Sequence, residues 1–201
     1  METATLGFRA HSGWAAVVAI GGTPAAPRAL DRRRIALTGA RLPKQPYHAA
    51  EPLEVSRARE LLDRCEEDSR RLAGEGLRDV ADSLRAQGLR VRAAALLLAA
   101  NRPLPDLAGI LASHALIHAA DGEHFREAVR RATRELEIPL LEVREKDLLA
   151  RASATLRLAP EAVTRRAAEI GKALGPPWTQ DQKLAAVAAW LALADPPGAA
   201  R

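Results

Sequence analysis

The chain predicts an α/β domain with a mixed five-stranded sheet and helices on both faces, and three observations carry that expectation. Residues 4 to 39 hold three β-type runs separated by Gly and Pro punctuation. Residues 89 to 100, LRVRAAALLLAA, form a continuous apolar run of the kind a strand shows when it is covered from both sides. Between that run and a further strand-like segment, IPLLEV at 138 to 143, lies the long stretch Pro105 to Glu137. Its apolar residues Leu107, Ile110, Leu111, Leu116, Ile117, Phe125, Val129 and Leu136 mark a helix laid over a sheet.

Taken in order, Ala4 to Ala10 leads through His11-Ser12-Gly13 into Trp14 to Ile20. Gly21-Gly22 with Pro24 and Pro27 then breaks the run before Ala29 to Leu37, so the three strands read as an antiparallel meander. The triplet Arg32-Arg33-Arg34 puts charge on both faces of the third strand, which suits an edge. Residues 38 to 51 have two prolines, a glycine and no period, and are expected to form a loop carrying Tyr47 and His48. A helix is expected from Pro52, with Ala58, Leu61, Leu62, Cys65 and Leu72 on one face, broken at Gly74 and Gly76. A second segment runs from Leu77 to Gln87, and Gly88 closes it. Beyond the 138 to 143 strand, Lys146 to Leu158 is partly helical. Pro160 opens a clearer helix with Val163, Ala167, Ile170 and Leu174 in a stripe, closed by Gly175. The last helix begins with a capping box, Thr179-x-x-Gln182, and ends before Asp195. Residues 1 to 195 therefore read as one domain and 196 to 201 as a disordered tail.

Composition narrows the function classes. Hydrophobic residues make up 48% of the 201 and aromatics only 3%, so the core must be built from Ala, Leu, Val and Ile. A net charge of +5 points toward nucleic acid or another polyanion. That signal is diluted by an Ala/Arg-rich background with only four lysines, Lys44, Lys146, Lys172 and Lys183. Cys65 is alone, which excludes an internal disulfide and suits a reducing compartment. The opening METATLGFR has no basic region followed by an apolar stretch. The longest apolar runs fall below half of the roughly 20 residues a span requires, so no membrane association and a cytoplasmic location are expected. No Gly-rich phosphate loop, GxSxG turn or dinucleotide fingerprint is present.

In several places the chain resembles bacterial Holliday-junction resolvases of the ribonuclease H-like superfamily. Leu6-Gly7-Phe8 precedes Ser12-Gly13-Trp14 in the first hairpin, Ala120-x-Gly122 lies in the long helix, Ile138-Pro139-Leu140 forms the next strand, and Asp181-x-Lys183 opens the terminal helix. The resemblance implies three antiparallel strands extended by two parallel ones. It also implies a cluster of carboxylates at the strand ends that binds two divalent metals for phosphodiester cleavage. On that pattern the first-strand aspartate falls on Arg9, the acid near the end of the fourth strand falls around Asn101, and Asp181 alone remains. A non-catalytic binding module for nucleic acid, a protein partner or a second copy of itself in a homodimer is the resulting expectation, with no cofactor. Arg9, Ser12, Asn101 and Lys183, beside Asp181, are then candidates for holding a phosphate or carboxylate.

The histidines supply the competing expectation. His114 and His118 are one helical turn apart and Asp121 follows on the same side, so they could ligate a divalent metal or perform acid/base hydrolysis. Glu123 and His124 extend the group, and a break at Gly122 would expose Asp121 to His124 as a loop. The bland alternative packs His114 and His118 against the sheet. For Cys65, a place as a buried small hydrophobe is expected.

Overall fold

The computed structural model describes residues 2 to 99 and 103 to 197. Strands β1 (Glu2–His11), β2 (Trp14–Thr23) and β3 (Ala26–Ala36) form the expected antiparallel meander, its first turn made possible by Gly13 at φ 82°. Strand β4 (Leu89–Leu98) lies parallel beside β1 and β5 (Leu140–Arg144) parallel beside β4, giving the order β3-β2-β1-β4-β5. The arginine-rich β3 is an edge, and Arg32 caps it by donating to the carbonyls of Gly175 and Pro176 at 2.8 and 2.9 Å.

Period-two alternation sorts each strand between two helical layers. Leu6, Phe8, Val17, Ala19, Ala94 and Leu96 face a layer made by α2 (Val55–Ala86) and α4 (His114–Glu135), which contributes Leu77, Leu84, Phe125 and Val129. Their neighbours Val18, Ile20, Ala95 and Leu97 face α7 (Gln180–Ala194), with α5 (Glu145–Leu156) and α6 (Pro160–Ile170) packed around it. Helix α7 is buried at every position from Ala185 to Leu193, as a helix apolar all round must be. It is the central helix of the fold. The capping box at Thr179 forms as expected.

Helix α2 corrects the sequence expectation, because it starts at Val55 and runs unbroken through Gly74 and Gly76. A methyl group at Gly76 would sit 3.0 Å from the Ile35 side chain, so this glycine lets the helix settle on β3 instead of ending it. The stretch 105 to 137 is also divided differently. A one-turn helix α3 (Leu107–Leu111), capped by Asp106, ends at Ala112, and α4 starts after Ser113 and passes straight through Gly122. The 38 to 51 loop contains a short helix, α1 (Pro46–Ala50). Cys65 is buried as expected, and burial pushes its thiol up to about 11. Among the described residues no helix is long and apolar enough to cross a membrane. The tail beyond Pro197 lies outside them.

Candidate functional site

Strand β1 and helix α7 pack with matched spacings. Two residues of strand advance about 6.6 Å and four residues of helix about 6 Å, so every second β1 side chain meets successive turns of α7. Thr5 donates to the Ala189 carbonyl at 2.8 Å, Gly7 lies against the Ala185 carbonyl, and Arg9 meets Asp181 in the first turn of α7. The third step is where the site forms. Glu145, the first residue of α5 after β5, joins from the other side with a two-point bond to Arg9, at 2.9 Å from Nε and 3.0 Å from Nη2. His11 Nε2 lies 3.1 Å from both Arg9 Nη1 and Asp181 Oδ1, completing the cluster.

The guanidinium is thus held by two carboxylates. Its hydrogen bonds to Glu145 raise the Arg9 pKa above its ordinary value against the opposing effect of burial, with Asp181 adding to the rise. These groups do not fit a pair of divalent metals. Such ions need several oxygen ligands each, whereas here both carboxylates already face a fixed positive charge at hydrogen-bond distance. Asn101 lies outside the described residues.

An open anion pocket around Arg9 is not what the geometry shows. Its donors face Glu145 and Asp181, and among the described residues neither Ser12 nor Lys183 hydrogen-bonds to it. Ser12 is exposed in the β1–β2 turn, and Lys183 lines a neighbouring pocket of about 130 Å³ with Leu148 and Val187. What does open at this end of the sheet is a groove of about 620 Å³ between β4 and α7, walled by Arg9, Leu98, Arg144, Lys146 and Gln180. Beside it, Trp14 is sandwiched by residues from the two flanking strands. His11 stacks on it with ring centroids 4.3 Å apart, and the Arg34 guanidinium carbon lies 3.9 Å from its ring centre.

The second group of candidates divides in two. Glu123 leaves it, paired with Arg126 at 2.9 Å and Arg130 at 2.5 Å along α4. Asp121 and His124 are buried, because α4 continues through Gly122 where a loop was expected. His114 and His118 are exposed, not packed against the sheet, and they meet His48 of α1 edge to face. Asp121 accepts from the Tyr47 amide at 2.7 Å and from His48 Nδ1 at 2.5 Å.

His124 has a separate role. Ser69 donates its proton to the Leu37 carbonyl at 2.7 Å, so His124 Nε2 must carry a proton and donate to Ser69 Oγ at 2.9 Å. Burial lowers its pKa from 6.5, aided by Arg131 and opposed by Asp121. With the folded pKa below the unfolded one, the unfolded chain binds more protons in that window. Stability is therefore full above about pH 6.5 and falls as pH drops from there toward the lower folded value. Urea midpoints measured between neutral and mildly acidic pH should show this slope, and His124→Gln should flatten it.

Sequence reasoning missed Glu145 and His11 as site residues, and it set His48 beside Tyr47 in a loop without joining it to His114 and His118. Glu145 directly follows the last residue of a parallel strand, and that position was the available signal.

Two solved structures resemble the chain over most of their length. A structure of Thermus thermophilus RuvC has a TM-score of 0.53 and 15% identity, covering 94% of this chain and 92% of that one. Thermus thermophilus RuvC in complex with Holliday junction substrate has the same TM-score and 14% identity, covering 94% and 91%. The fold is ribonuclease H-like. No family model and no curated protein sequence matches the chain.

Proposed function

We propose that this ribonuclease H-like chain is a non-catalytic module that binds branched or otherwise structured nucleic acid. The observation that carries this reading is the Arg9 guanidinium clasped between Glu145 and Asp181, at the end of the sheet where the resemblance calls for metal-binding carboxylates. Phosphodiester hydrolysis needs an activated water and a stabilised leaving oxygen. Here both carboxylates are engaged by one internal cation, and His11, the nearest imidazole, is engaged with the same cluster. Binding needs neither function. Arg144 and Lys146 border the groove, and Arg34 and Lys44 flank the Trp14 turn, so phosphates can be met along one continuous end of the molecule.

The probe follows from the fold neighbour seen with a Holliday junction substrate. Fluorescence anisotropy with a labelled four-way DNA junction should show binding whose log Kd rises linearly with log salt. Lys146→Ala should weaken it and reduce the salt slope by about one. Absence of binding at low salt would move the function to a protein partner.

A further inference from the structure

A separate group of side chains stands at the junction of α1 and the start of α4. One ring nitrogen from each of His48, His114 and His118 lies within 4.8 Å of the other two. The rings are set edge to face, with centroids 4.4 to 5.4 Å apart. His114 Nε2 and His118 Nε2 face each other at 3.1 Å. Two imidazole nitrogens each about 2.05 Å from a tetrahedral zinc ion stand about 3.3 Å apart, so this pair is already spaced as adjacent ligands.

The second observation is Asp121. It is a carboxylate only 3% exposed, bound to the Tyr47 amide and to His48 Nδ1, with no Lys or Arg ion-pair partner among the described residues. A charged group at that depth needs a compensating partner. By accepting from Nδ1 it fixes the proton there, so the neutral ring carries its lone pair on Nε2. A carboxylate behind a histidine in this way sets the tautomer and raises the basicity of a metal-ligating imidazole.

We propose that His48, His114 and His118 bind one divalent transition metal of the zinc class, with Asp121 as the positioning residue behind His48. Three neutral imidazoles suit zinc, cobalt, nickel or copper over magnesium or calcium. His114 and His118 are exposed, so the fourth position opens to solvent and takes water or a small ligand. The ion joins α1 to α4 and so anchors the segment between β3 and α2. The expectation of His114, His118 and Asp121 as the ligand set is thereby revised, with His48 as the third ligand and Asp121 one shell behind.

The test uses full-length protein without a histidine tag. Titration with cobalt(II) should give the visible absorption of a tetrahedral ion, saturating at one ion per chain, and zinc should displace it. His114→Ala and His118→Ala, both at exposed positions, should each weaken zinc binding by more than the 10–100-fold typical of losing a supporting residue, and Asp121→Asn should weaken it by about 10–100-fold. Far-UV circular dichroism checks that each variant is folded. Absence of saturable binding at micromolar metal would overturn the proposal, as would undiminished binding by the His114→Ala/His118→Ala double variant.

Discussion

Gly7→Ala is expected to destabilise the protein by about 3 kcal/mol, at the upper end of what overpacking a well-filled core costs. A methyl group there would lie 1.8 Å from the Ala185 carbonyl oxygen, 2.8 Å from its carbon and 2.9 Å from the Ala189 nitrogen. All three are backbone atoms of α7 and cannot rotate aside. The only relief is to lift the helix off β1, which also draws Asp181 away from Arg9 because both contacts belong to one strand-on-helix register. Gly21→Ala provides the contrast. Its methyl would meet the tip of the Leu30 side chain at 2.6 Å, and that tip can turn away. Urea unfolding should give a loss of about 1 kcal/mol or less for Gly21→Ala against the larger loss for Gly7→Ala. Equal losses would mean that α7 is not seated on Gly7 as described.

Arg9→Asp should have the second large effect, in two parts. Removing the guanidinium leaves Glu145 and Asp181 facing a third carboxylate, so stability should fall. Removing one partner of a fully buried pair costs about 3–5 kcal/mol, and the half-exposed setting of this cluster reduces that to about 2 kcal/mol. The variant should then become responsive to magnesium. Three carboxylates make an oxygen-ligand site, and magnesium at about ten times its Kd would restore about 1.4 kcal/mol. The wild-type melting temperature should not move with magnesium. Magnesium is the right probe because three imidazoles are poor ligands for it, which keeps the histidine group out of the reading.

The sheet was legible because its signals are local. Three β-type runs between glycines and prolines, a doubly apolar run at 89 to 100 and a helical period after it are all properties of neighbouring residues. Glycine was the weak point. Gly74 and Gly76 resemble helix breaks on propensity, but Gly76 is the notch that admits Ile35, a contact between segments more than thirty residues apart. Likewise, Leu6-Gly7-Phe8 could be read as strand, yet nothing local says that Ala185 fills the space above Gly7. The site divides the same way. Arg9 and Asp181 were picked out together through the resemblance, and they do meet. Glu145 was passed over because only the fold brings the start of α5 against Arg9 in β1, 136 residues away in the chain. His48 was not joined to His114 because the chain distance between them hides a contact that only the fold creates.

The most direct measurement of the central claim is incubation of a four-way DNA junction with excess protein in magnesium or manganese, followed by denaturing electrophoresis. With Arg9 held between Glu145 and Asp181, the junction should be bound and every strand should remain intact. Metal-dependent strand cleavage that disappears in Asp181→Asn would contradict the account.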